Sequence, residues 1–216
     1  MIDSDGSIRH WHAPSGKLVS TIKEKDDDLQ CLNVSYQSNG EKFVVAGSDN
    51  NIRVYDGLKH QKLYSSKNIE ENGRIGHTNR IYCAKFHPKL PGIIVSGGWD
   101  DTVQIWDIRV PNPVRRIFSP RICGDSIDFN DAGTVMLTGS YRKDDPLQTW
   151  DWESGKLMET IPWNHEIVPP LTMVYTSQFS HGTTDSSKPN KYILAGGKFF
   201  VKPYSMSNSL LSLSNN

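Results

Sequence analysis

No stretch of this chain approaches the ~20 consecutive apolar residues of a membrane span, and its opening segment, MIDSDGSIRHWH, has no apolar core of signal-peptide length. Charge of one sign is also missing. The 24 Lys and Arg balance 24 Asp and Glu, so no general basic field exists to hold nucleic acid or anionic lipid. Cysteine is scarce: Cys31, Cys83 and Cys123 are odd in number and lack C-x-x-C spacing, which argues against a disulfide framework or a zinc site. Such free cysteines are usually small buried apolar residues. No Gly-rich loop leads into a helix, so a phosphate cradle for a nucleotide has no support, and no amphipathic segment reaches ten residues. These absences point to a cytosolic or nuclear protein that needs no cofactor or metal and selects its partners locally. A length of 216 residues suffices for one domain or for part of a larger one.

What is present is a repeat. The stretches GSIRHWH, NNIRVYD, DTVQIWD, PLQTWDW and FFVKPYS each set an aromatic among β-formers: Trp11, Tyr55, Trp106, Trp150 and Tyr204. Ahead of four of them runs a Gly-containing apolar stretch (KFVVAGSD, GIIVSGGWD, TVMLTGS, YILAGGK), and ahead of that another alternating one (CLNVSYQ, IYCAKFHP, DSIDFND, TMVYTSQFS). Segments such as GKLVSTI and GKLMETI add a further strand. The pattern reads as all-β, with a period near the ~40 to 45 residues of a four-stranded propeller blade.

Gly76-His77 followed by VSGGWDDTVQIWD resembles a WD40 repeat with almost every signature position filled. TGSYRKDDPLQTWD at 138 to 151, SDGSIRHWH at 4 to 12 and AGSDNNIRVYD at 46 to 56 are similar but less complete; GGKFFVKPYS matches least and places Pro203 in a strand, which suits an edge. The resemblance implies a WD40 β-propeller over residues 1 to 206, with units near 1–22, 27–66, 75–118, 119–163 and 164–206, then a weakly ordered tail at 207–216. About four and a half blades are visible. Most members of this family resemble a seven-bladed ring, so the expectation is a partial or truncated member.

His77, Ser96 and Asp100 are the residue types of a hydrolase triad. The resemblance gives them another role: with Trp106 they form a buried hydrogen-bond network that fixes the turn of the blade. Buried polar groups need such a connected set, whereas a hydrolase also needs an oxyanion hole and an exposed nucleophile. Only the third unit holds all four members. The second has Ala46 at the serine place and no His, and the fourth has Thr138, Asp144 and Trp150 without the His.

The family's usual role is to hold other proteins, without catalysis. The resemblance implies that Arg80, Tyr82 and Trp99 fall where first strands and tight turns open on one face, and Arg, Tyr and Trp are the types enriched at binding hot spots; a plain surface role, with Trp99 covering its own turn, fits them too. IVSGGWDDTVQIWDIR resembles a box found in substrate receptors of cullin-RING ubiquitin ligases, which implies that Asp107 and Arg109 meet a ligase adaptor. The same two residues also fit an ordinary surface pair. His10 and His12 alternate about Trp11 but find no third metal ligand in the sequence. VRRIFSPR gathers Arg115, Arg116 and Arg121 around a Ser-Pro pair, as a dock for a phosphopeptide or acidic segment or as a solvated connection.

Overall fold

A computed structural model describes residues 1–3, 5–24, 29–66, 69–70, 73–74, 76–163, 173–181, 192–197 and 201–205. The tail expected at 207–216 lies outside the described residues. All regular structure among the described residues is β. Blade 1 holds β1 (Ser7–His12) and β2 (Lys17–Lys23), with Ile2 bridged to Ile8. Blade 2 runs β3 (Cys31–Tyr36), β4 (Lys42–Gly47), β5 (Ile52–Asp56) and β6 (Lys62–Ser65). A small hairpin, β7 (Ile69–Glu70) and β8 (Gly73–Arg74), follows. Blade 3 is β9 (Ile81–Phe86), β10 (Ile93–Gly98), β11 (Thr102–Asp107) and β12 (Pro113–Phe118). Blade 4 is β13 (Ile127–Phe129), β14 (Val135–Gly139), β15 (Leu147–Asp151) and β16 (Leu157–Thr160). Blade 5 shows β17 (Thr176–Phe179), β18 (Tyr192–Gly196) and β19 (Val201–Ser205).

Within each blade, successive strands pair as an antiparallel meander, the arrangement that short turns between alternating strands dictate. The cores lie between blades. Val44, Ala46, Ile52 and Val54 of blade 2 pack against Ile81, Ala84, Ile94 and Trp106 of blade 3, and Cys83, Val95, Val103 and Ile105 of blade 3 against Ile127, Phe129, Met136 and Trp150 of blade 4. A third layer joins blade 4 to blade 5 through Val135, Leu137, Leu147, Val174, Phe179 and Ile193. Blades 2 to 4 therefore bury both faces, which is why their central strands read as nearly continuous apolar runs. This is the β-propeller that the repeat period implied.

The register corrects one equivalence. Trp106 lies opposite Ile94, and Tyr55 lies opposite Phe43. Counting from these pairs, Ser96 corresponds to Val45 and Gly97 to Ala46, so blade 2 has an apolar residue at the serine place and Ala46 at a glycine place. Asn50 and Asp101, both at positive φ (66° and 56°), mark the same point of the two turns.

The sequence pattern did not signal a device on the outer strands. In blades 1 to 4 the pairing with the outermost strand skips one residue beside the repeat aromatic: Val19, Leu63, Val114 and Met158. Such a bulge bends the strand and spoils its free edge as a template for another chain. Pro203 lies opposite Leu194 on β19, which pairs with β18 alone among the described residues. Its missing N–H is tolerated on such an edge.

Candidate interaction face

The four network residues of blade 3 meet. His77 Nδ1 is 2.8 Å from Asp100 Oδ2, His77 Nε2 is 2.7 Å from Ser96 Oγ, and the Trp106 indole N–H donates to Ser96 Oγ at 2.7 Å. The indole can only donate. Ser96 therefore accepts from it and gives its own proton to His77 Nε2, and a neutral imidazole then carries its hydrogen on Nδ1 and donates to Asp100. Asp100 also accepts from the backbone N–H of Thr78 at 3.0 Å and the hydroxyl of Thr102 at 2.9 Å. Burial disfavours ionisation of this carboxyl, but the hydrogen bond from His77 and those from Thr78 and Thr102 outweigh it and hold the group below its usual range. The distances are those of a working triad, yet His77, Ser96 and Trp106 are each 0% exposed, so no substrate reaches the serine hydroxyl. The network staples the segment before β9 to the β10–β11 turn.

The other blades solve the same problem differently. In blade 4 the Trp150 indole N–H donates to Thr138 at 2.8 Å, but Asp144 is exposed in a longer turn. In blade 2 a charged cluster stands in. Glu24, from the connection leaving blade 1, accepts from the Tyr55 hydroxyl and from Lys62 Nζ at 2.8 Å, and lies 3.5 Å from Arg53 Nε. Arg53 in turn donates to Asp49, the residue equivalent to Asp100. Glu24 and Asp49 are both held below the usual carboxylate range, burial opposing and their basic and hydrogen-bonding neighbours prevailing. The sequence signal for this was a Tyr and an Arg at the Trp and Gln places of a unit that lacks the His.

The network positions a surface. Trp99 heads the β10–β11 turn, and its backbone N–H donates to Arg80 O at 3.1 Å. A Cβ at Gly98 would lie 2.2 Å from that same carbonyl, so the two segments approach this closely only because residue 98 is glycine. Gly47 meets Gln30 O in the same way, at 2.3 Å. Tyr82 and Trp99 then pack with ring centroids 5.5 Å apart, with exposed Arg80 beside them and Trp99 43% exposed. The structure thus brings Arg80, Tyr82 and Trp99 together on the end of blade 3 that carries the β10–β11 turn. Three residues enlarge this face: Phe118, 69% exposed and paired in register with Thr102 just past that turn, and the Tyr141–Tyr175 pair of blades 4 and 5, with centroids 5.0 Å apart. Sequence reasoning missed Phe118 because strand alternation alone does not say which end of an outer strand faces solvent.

Asp107 and Arg109 sit at the opposite end and bind each other. Asp107 Oδ1 accepts from Arg109 Nε at 2.8 Å and from its backbone N–H at 3.0 Å. Asp56 and Asp151 cap the turns after β5 and β15 in the same manner. The Asp is therefore a recurrent turn former, and the Arg, 79% exposed, is what distinguishes blade 3.

The remaining candidates separate. Arg115 lies over the Trp152 ring at 4.9 Å and donates to Trp152 O at 2.6 Å, Arg116 is exposed on β12, and Arg121 grips Asp101 through two bonds of 2.7 Å. These three do not converge on one anion, which corrects the idea of a gathered arginine dock. His10 stacks on His60 at 3.8 Å, whereas His12 bonds Ser15; among the described residues no group of three or more His, Cys, Asp or Glu could hold a metal. Cys31 and Cys83 are buried and Cys123 half-buried. Burial pushes the first two thiols up to about 11 and about 12, so they stay protonated at neutral pH.

His181 joins blade 5 to blade 4, with Nδ1 2.7 Å from Asp131 Oδ1 and Nε2 3.1 Å from Asp128 Oδ2. Burial lowers its pKa, but the bonds to the two carboxylates dominate and the net shift is upward. A raised folded value means that the contribution to stability is full below the unfolded value of about 6.5 and is lost as pH rises through the folded one. We expect the melting-temperature gap between the protein and His181→Gln to be widest near pH 6 and to narrow as pH rises beyond the folded value; a gap that grew with pH would contradict the bridge.

The family model described as "WD domain, G-beta repeat" matches residues 16–56 and 70–107. Over 190 residues the chain is 27% identical to "Target of rapamycin complex subunit wat1" of Schizosaccharomyces pombe, covering 88% of this chain and 56% of that protein. It is 29% identical over 193 residues to "Probable coatomer subunit beta'" of the same organism, covering 85% and 22%. With "Guanine nucleotide-binding protein subunit beta-like protein" of Encephalitozoon cuniculi it shares 26% identity over 165 residues, covering 72% and 47%. The chain spans between about a fifth and just over half the length of these relatives.

Proposed function

From the premise that this chain belongs to the WD40-repeat family of β-propellers, we propose that it is a noncatalytic scaffold that holds other proteins in a multiprotein complex. The observation that carries this reading is the Arg80–Tyr82–Trp99 cluster, exposed on one face and positioned by a buried network. Large, rigid side chains on a fixed turn lose little entropy on binding, which is what a hot spot requires. Relatives named as a complex subunit and a coatomer subunit support the reading, as does the sealing of Ser96 from solvent.

Trp99→Ala is expected to weaken capture of the stable partners by about 2 kcal/mol, near 30-fold in Kd, with the melting temperature almost unchanged. Quantitative mass spectrometry of complexes recovered with the protein and with the variant checks this. A partner set that is identical for both moves the site off this face.

A second reading, substrate receptor of a cullin-RING ubiquitin ligase, draws on the exposure of Arg109 at the other end of the blade. Its guanidinium is solvent-facing on a pre-formed turn, suited to specific charge-assisted contacts. Arg109→Ala leaves the core untouched, so it is expected to lose a ligase adaptor from the recovered complexes while the fold survives. Absence of any ligase component with the unaltered protein retires this reading and leaves the scaffold. The cytosol or nucleus is the proposed setting.

A further inference from the structure

Ser119 and Pro120 form a Ser-Pro pair in the connection leaving blade 3, and in sequence the pair suggests a proline-directed target. The structure reverses that emphasis. Pro120 is buried, whereas Arg116, Phe118 and Ser119 are exposed, on or just beyond β12, which among the described residues pairs with β11 alone. A protein surface can therefore read this segment from the upstream side, where the basic residue three places before the serine is Arg116. Ser119 also holds a φ of 102°, which a residue with a side chain adopts only under constraint. Moving it toward extended backbone releases strain.

A cation already waits at the hydroxyl. Arg142, on the β14–β15 turn of blade 4, donates from Nη1 to Ser119 Oγ and, at 3.2 Å, to Ser119 O. Its other bonds go to neutral oxygens, Asp145 O at 2.8 Å and Gln148 Oε1 at 2.8 Å. Nearby Asp101, whose backbone carbonyl accepts from the Ser119 N–H, has its carboxylate occupied by Arg121.

We propose that Ser119 is a phosphorylation site for an arginine-directed protein kinase, and that Arg142 receives the phosphate and ties the exit of blade 3 to blade 4. In the transfer, Ser119 Oγ attacks the γ-phosphorus of kinase-bound ATP. The new Oγ–P bond forms as the bond to the β,γ-bridging oxygen breaks, ADP departs, and the hydroxyl proton passes to the kinase's catalytic carboxylate. The product carries about −1.5 to −2 charge against a guanidinium that today meets only neutral acceptors there.

The test incubates the folded protein with ATP and either an arginine-directed or a proline-directed kinase, followed by peptide mapping and melting curves. The expected result is phosphate on Ser119 from the arginine-directed enzyme, most of it lost in Arg116→Ala, and a melting temperature raised by about 2–4 °C. Arg142→Gln takes the phosphate without the rise. No phosphate on Ser119 from that kinase, phosphate from the proline-directed enzyme alone, or an equal rise in Arg142→Gln would each overturn the proposal. Because phosphate incorporation is read separately from melting, a poorly folded variant is recognised by its own curve before phosphorylation.

Discussion

Replacing Trp106 by Ala lowers the stability of the protein by about 3–5 kcal/mol, which for a chain of this size is a drop of about 6–20 °C in melting temperature. Two losses add. Trp106 is fully buried and is the largest side chain in the layer between blades 2 and 3, so its truncation leaves a cavity that the flanking strands cannot close. Its indole N–H is also the donor to Ser96 Oγ, and without it that hydroxyl keeps His77 but loses its second partner in a dry interior. Trp106→Phe separates the two: it restores most of the volume and none of the hydrogen bond, and belongs between the protein and the Ala variant. A denaturant melt of the three proteins measures both terms. Equal stability of Trp106→Ala and the unaltered protein would refute the role assigned to the network.

Asp100→Asn is expected to cost about 2–4 kcal/mol at neutral pH. The carboxylate accepts from His77, Thr78 and Thr102, and an amide supplies one acceptor oxygen while turning an NH₂ toward groups that are themselves donors. The effect depends on pH with a definite sign. The folded pKa of Asp100 is depressed below an unfolded value near 3.9. Its stabilisation is therefore present above about pH 4 and disappears as pH falls through the folded value. Melting curves of the protein and Asp100→Asn should converge on acidification below pH 4. Curves that stay parallel to the lowest pH at which the protein remains folded would show that the carboxylate is not the acceptor at the centre of the network. Glu24 and Asp49 shift in the same direction, so blade 2 and blade 3 should soften together in acid.

The members of the blade 3 network could be named before the structure because the unit resembles a WD40 repeat with almost every signature position filled. The charged substitute in blade 2 could not. Glu24 lies 31 residues from Tyr55 and 38 from Lys62, and nothing in the stretch KEKDDDL marks one acidic residue as half-buried. The serine equivalence in blade 2 shifted by one residue for a related reason: the turn after KFVVAG has the same αL point as the one after IIVSGG, and only strand register shows it. A slip of one residue exchanges the two faces of a strand.

The sequence by itself determined the all-β class, the repeat period and the aromatic of each blade, because strand alternation and tight turns are local and their residue choices follow from backbone geometry; the composition of the best network came through the resemblance of its unit to a WD40 repeat. Tertiary structure decided what depends on neighbours in other blades: that Ser96 is sealed, that Arg115, Arg116 and Arg121 part company, that the outer strands of blades 1 to 4 bulge beside the repeat aromatic, and that Arg142 reaches Ser119 from 23 residues away. Those outcomes turn on how two sheets stack and how far a connection must travel between them, and such distances are set only when the blades pack.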